Sequence, residues 1–151
     1  MMVNGLVRPR SCWMLAGLLL SSTLVASAAD DAVLRPRVPI DQIEEARSWK
    51  NPLPVTEETL EKGKALFQGK AFCMTCHGRD GMGLKDVEGL RGKLPRNFTD
   101  RMWQQARTDG ELFWILKNGS PGTDMASFVP LVLTEEEAWQ VITYVRSFGG
   151  R

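Results

Sequence analysis

Cys73 and Cys76 stand three positions apart, and His77, the single histidine of the chain, follows at once. Thiols and imidazole bind metals and cofactors, and three chemistries can use them at this spacing. C-x-x-C-H is the attachment pattern of a c-type haem. The same side chains could contribute to a zinc site, and C-x-x-C alone can cycle as a redox dithiol.

The rest of the chain weighs these options. A structural zinc site takes four Cys or His ligands. Apart from Cys12 near the N-terminus, only these three exist, all within one pentapeptide. A thioredoxin-like dithiol belongs in a strand–helix context. Here the motif follows a helical pattern and enters the glycine-rich run GRDGMG. Haem asks only for what is present: two thiols to add to two vinyl groups, and an imidazole for the iron on the tethered side. A second axial ligand cannot be another histidine. Methionine is the usual alternative, and a His/Met pair raises the reduction potential. Met74 lies between the tethering cysteines, Met82 follows His77 too closely, and Met102 sits in a helical stretch beside Trp103. Met125, in NGSPGTDMASF, is far enough along the chain to reach the opposite face, on a loop shaped by Gly119, Pro121 and Gly122. Met125 is the expected distal ligand.

The elements that must hold these residues read as helices and long loops. Thr56 caps a helix over Glu57–Gln68 that stops at Gly69, with Gly63 in its middle. A mid-helix glycine costs about 1 kcal/mol, which points to close approach by another backbone. Gly78 to Phe98 is loop. Two helices are expected over Asp100–Ala106 and from Asp109 to near Lys117. The last helix begins at a T-x-x-E capping box, Thr134 and Glu137, continues as an Ala138, Val141, Ile142, Val145 stripe and ends at Gly149. No strand alternates convincingly. The expected class is small all-α, about four short helices with long loops. So little repeating structure buries little core by itself, and a large planar apolar ligand would fill the deficit. Trp114 and Trp139 read as core.

The chain has 151 residues and a formal charge of +1, which gives no electrostatic case for nucleic acid. Arg8 and Arg10, the apolar run Cys12–Ala26 and the small residues Ala26-Ser27-Ala28 form a signal-peptide pattern. The run is shorter than the roughly 20 apolar residues of a membrane span. Residues 1–28 are therefore expected to be a cleaved leader, with a periplasmic location; an uncleaved membrane anchor is the alternative. Residues 29–52, with Pro36, Pro39 and Pro52, read as an extension carrying one short helical piece, Asp41–Trp49. It would be either a strap on the domain or an arm for a partner. The compact domain is then residues 53–151.

From about Leu53 onward the chain resembles a monohaem class I cytochrome c. The resemblance rests on GKALFQGKAFCMTCHGRDGMG, NGSPGTDMASF and LTEEEAWQVITYVRSFG, in family order. It implies a cytochrome c-like fold wrapped around one covalent haem c per chain, held by Cys73 and Cys76 and ligated by His77 and Met125. It also implies that the first and last helices cross near Gly63, Phe67, Val141 and Tyr144. Arg91, Arg96 and Trp103 are candidate partners for the haem propionates. The implied role is electron carrier rather than enzyme, with redox-protein donor and acceptor, possibly a membrane oxidoreductase or oxidase, and no small-molecule substrate. The other readings are a permanently bound haem-c subunit of a larger oxidoreductase, or a haem enzyme or gas sensor with a displaceable Met125. Two positions depart from the family pattern. Ala126 stands where proline often follows the distal methionine. No proline occurs between His77 and Leu94 to offer its carbonyl to the proximal imidazole, so another loop carbonyl, or Pro95 at longer range, has to orient His77.

Overall fold

The computed structural model describes residues 1, 33–86, 88–90 and 92–150. The leader expected over residues 1–28 lies, apart from its first residue, outside the described residues, as does Arg91. Among the described residues no helix is long and apolar enough to cross a membrane.

Six helices and a terminal 3-10 turn follow one another among the described residues: α1 (Ile43–Ser48), α2 (Glu57–Gln68), α3 (Met74–His77), α4 (Arg101–Ala106), α5 (Asp109–Asn118), α6 (Glu135–Ser147) and Phe148–Gly150. They contain no strand, and a lone bridge joins Gly92 to Thr123. The fold is the small all-α, cytochrome c-like one, with more helices than the four expected of the domain. The addition within it is α3, a single turn formed by the cysteine–histidine motif itself, too short to show any period.

Caps set the helix starts. The Thr56 hydroxyl accepts from Thr59 N–H, and Asp100 accepts from the N–H groups of Met102 and Trp103. Reciprocal capping boxes open both α5, through Thr108 and Glu111, and α6, through Thr134 and Glu137. The α5 box went unread in the sequence, although its T-x-x-E spacing is the same.

α2 crosses α6 at Gly63. A Cβ built there would lie 2.1 Å from the Gln140 carbonyl oxygen and 2.9 Å from Tyr144 Cβ. The glycine therefore lets two backbones touch, which explains a residue that costs helix propensity. Phe67, fully buried, packs from this crossing against Tyr144 at 5.4 Å and Phe148 at 5.8 Å between ring centroids. α5 joins α6 through Phe113 and Trp139, stacked at 4.1 Å and nearly parallel. Arg146 locks the other side of that joint, donating to the Asp109 carboxylate at 2.6 Å and to the Gln104 and Arg107 carbonyls.

The segment ahead of α2 is seated on this bundle. Val38, Ile43 and Ala46 are buried against Trp114, and the indole Nε1 of Trp114 donates to Gln42 Oε1 at 2.9 Å. Burial of a valine or isoleucine side chain stabilises by about 1.5–3 kcal/mol, so these contacts hold the segment down. Gly110 permits the approach: a Cβ there would sit 1.9 Å from the Ala46 carbonyl oxygen.

Candidate cofactor site

α2 ends at Gly69, and the chain turns through Phe72, a non-glycine residue at φ 47°. That left-handed residue breaks the helix direction and aims α3, with Cys73, Cys76 and His77, back towards the bundle. Gly78, at φ 73°, ends α3. The following loop folds under the motif: Gly83 N–H donates to the His77 carbonyl, Leu84 N–H to Cys76, and Phe98 N–H to Gly81. This path returns residues 96–98 beneath the imidazole. His77 Nδ1 lies 3.1 Å from the Arg96 carbonyl oxygen. A carbonyl only accepts, so Nδ1 carries the proton and Nε2 is the ring's lone-pair donor. Phe98 stacks on the same ring, centroids 4.3 Å apart and planes 18° apart. Burial pushes the His77 pKa down to about 4, against the pull of the Arg96 carbonyl; the nearby Arg37 charge lowers it further. At neutral pH the imidazole is in its uncharged, ligating form.

The second wall comes from the loop after α5. Gly119, at φ 79°, ends that helix, and a Cβ on it would meet the Met125 carbonyl at 2.9 Å. Ser120 N–H donates to that carbonyl at 2.8 Å, and Met125 N–H donates to Thr123 Oγ1 at 3.2 Å. The loop is thus tied to itself around Met125, without a proline after the methionine.

Between the two walls lies a cavity of about 1160 Å³, counting its open mouth. Cys73, Cys76, His77 and Met125 all line it, as do Arg96 and Trp103. The competing methionines do not: Met82 and Met102 are exposed at the surface, and Met74 packs on the core. Both cysteines are free thiols. Burial pushes the Cys73 thiol up to about 12, which is unlike the low-pKa thiolate of a redox dithiol. Among the described residues no group of three or more His, Cys, Asp or Glu side chains could hold a metal ion.

These residues fit a haem. An imidazole, a thioether and two thiols line one cavity, and most of its remaining wall is apolar, with Phe67, Leu116 and Ile142 among it, beside polar residues such as Arg96 and Asp124. A mostly apolar pocket with a few placed polar groups is the kind of site that takes a large apolar cofactor. Two residues of the lining, Arg37 and Ser120, also carry a buried polar atom, Nε and Oγ, with no hydrogen bond among the described residues. Sequence reasoning missed Arg37, Phe98 and Ser120. Arg37 lies in the extension, Phe98 in a loop without period, and Ser120 is one serine among small turn residues; none carries a local signal.

The family model described as "Cytochrome C oxidase, cbb3-type, subunit III" matches residues 58–145. Comparison with curated proteins returned no match. Among solved structures, the chain is similar to one from the Kuenenia stuttgartiensis reducing HAO-like protein complex Kustc0457/Kustc0458, at 29% identity and a TM-score of 0.55. The match covers 64% of this chain and 46% of that one, so the similarity spans less than half of that protein's length.

Proposed function

The chain belongs to that family of c-type cytochrome domains, and we propose that it carries single electrons between redox proteins on one covalently held haem c. Family membership implies the covalent haem c and haem-based electron transfer. The single observation that carries the finer reading is that Met125, picked out apart from the Cys73–Cys76–His77 motif, lines the same cavity as that motif.

The bound group supplies a one-electron iron couple. The protein's residues do the rest. Cys73 and Cys76 tether the ring. His77 offers Nε2, its orientation fixed by the Arg96 carbonyl and by Phe98. Met125 offers a thioether from the opposite loop. The apolar lining excludes water and keeps the local dielectric low. Donor and acceptor are redox proteins that meet the chain transiently, burying less than about 1,200 Å². The leader pattern in the sequence favours a periplasmic site of action.

A second reading has its own support: the solved relative belongs to a protein complex, so this chain would be a permanent haem-c subunit of a larger oxidoreductase. Stable co-purification with a partner distinguishes it from a free carrier.

The axial assignment is tested with Met125→Leu in the matured protein. The oxidised variant is expected to lose the weak near-infrared sulfur-to-iron band, and its reduced form to bind CO. Met82→Leu and Met102→Leu should change neither property. CO binding by the reduced wild type would contradict a firm Met125 ligand and favour a sensor or enzyme.

A further inference from the structure

The loop that orients His77 and the loop that carries Met125 meet at a β-bridge. Gly92, in the loop under the attachment motif, pairs in antiparallel fashion with Thr123, in the loop after α5. The approach is close. A Cβ built on Gly92, at φ 88°, would lie 2.7 Å from the Gly122 carbonyl oxygen. Glycine has no side chain to clash there and no penalty at that φ. Lys93 and Asp124, the next residue on each loop, are exposed and line the cavity, so the bridge lies at its open side. Gly92 itself is not part of the lining.

Each half of the bridge leads to one axial ligand. Further along the Gly92 loop, the Arg96 carbonyl accepts from His77 Nδ1. Gly83 lets that part of the loop close in, since a Cβ on it would meet the Pro95 and Arg96 carbonyl oxygens at 2.8 and 3.1 Å. On the other half, Thr123 Oγ1 accepts from Met125 N–H at 3.2 Å and donates to the Ser120 carbonyl at 2.8 Å. Ser120 N–H returns to the Met125 carbonyl at 2.8 Å. Thr123 therefore closes the Met125 loop on itself and fastens it to the opposite loop. Beyond Met125 the chain runs through exposed Ala126 and Ser127 before Phe128 N–H donates to the Leu116 carbonyl at 2.7 Å. Alanine after the methionine leaves φ free where a proline would fix it.

We propose that Gly92 and Thr123 are positioning residues for the distal ligand: their bridge holds the Met125 thioether in place and closes the sixth iron position to small ligands. The proposal rests on the reading of Met125 as that ligand.

The test compares matured wild type with Gly92→Ala and Gly89→Ala. Gly89 is a matched control, at φ 77° with nothing within 4 Å of a built Cβ. Alanine there brings the same backbone strain without touching the bridge. The near-infrared sulfur-to-iron band of the oxidised form and CO binding by the reduced form are read. Gly92→Ala is expected to weaken the band and to raise the apparent CO affinity about tenfold, because that affinity follows the population in which Met125 has left the iron. Gly89→Ala should match the wild type. Thr123→Val, which loses the hydroxyl, should behave like Gly92→Ala, and Thr123→Ser, which keeps it, like the wild type. Should Gly92→Ala fail to accumulate, this pair decides, and equal behaviour of its two members overturns the proposal. An intact band with unchanged CO affinity in Gly92→Ala, or equal changes in Gly89→Ala, also overturns it and leaves Met125 as the ligand. A wild type without the band overturns the Met125 reading, and the proposal with it.

Discussion

At the scale of single residues, the geometry around His77 shows how a missing residue is replaced. The loop lacks a proline soon after the motif, yet the imidazole still finds a carbonyl, that of Arg96, directly after Pro95. Phe98, two residues on, stacks on the ring and also touches Phe67, Trp103 and Phe148. Phe98→Ala should therefore do two things. It removes a buried aromatic, costing about 3–5 kcal/mol in denaturant unfolding, and it frees the His77 ring, broadening the haem signals in NMR spectra. A loss of stability with unchanged haem signals would reduce Phe98 to core packing. The attachment motif and Met125 were legible because their chemistry is written in residue type and spacing. The carbonyl, Phe98 and Arg37 were not, because what recruits them is the path of the Gly78–Phe98 loop and of a strap, and no local pattern encodes that path.

At the scale of elements, two glycines decide how helices meet. Gly63→Ala gains about 1 kcal/mol of helix propensity. It loses more, because the new methyl meets the Gln140 carbonyl on a backbone that cannot yield; a net loss of about 3 kcal/mol is expected, at the upper end of overpacking. A rise in melting temperature would contradict the close α2–α6 crossing. Gly110→Ala acts at the other contact, pushing on the Ala46 carbonyl. It should release residues 33–52 to limited proteolysis with the haem still attached. The helices themselves were legible from caps and stripes: Glu57–Gln68 stands where Thr56 and Gly69 place it, and α6 starts at its capping box. The seat of α1 was not. Val38, Ile43 and Ala46 are too few and too irregularly spaced to show a buried face, and three prolines made the segment read as an extension, either a strap or a partner arm.

At the scale of the whole molecule, the walls around the cavity explain how a chain of short helices holds a core. Phe67, Val141, Ile142 and Val145 serve both the helix crossing and the cavity lining, so the bundle and the cavity share their walls. The matured protein is accordingly expected to melt far above the Cys73→Ala/Cys76→Ala form, by circular dichroism; equal melting would detach the core from the cofactor. The most direct measurement is the mass and visible spectrum of the wild-type protein, produced with haem-c maturation and then denatured in acid and organic solvent. The account predicts one haem remaining on each polypeptide, lost on Cys73→Ala/Cys76→Ala. A polypeptide that emerges without haem would contradict it.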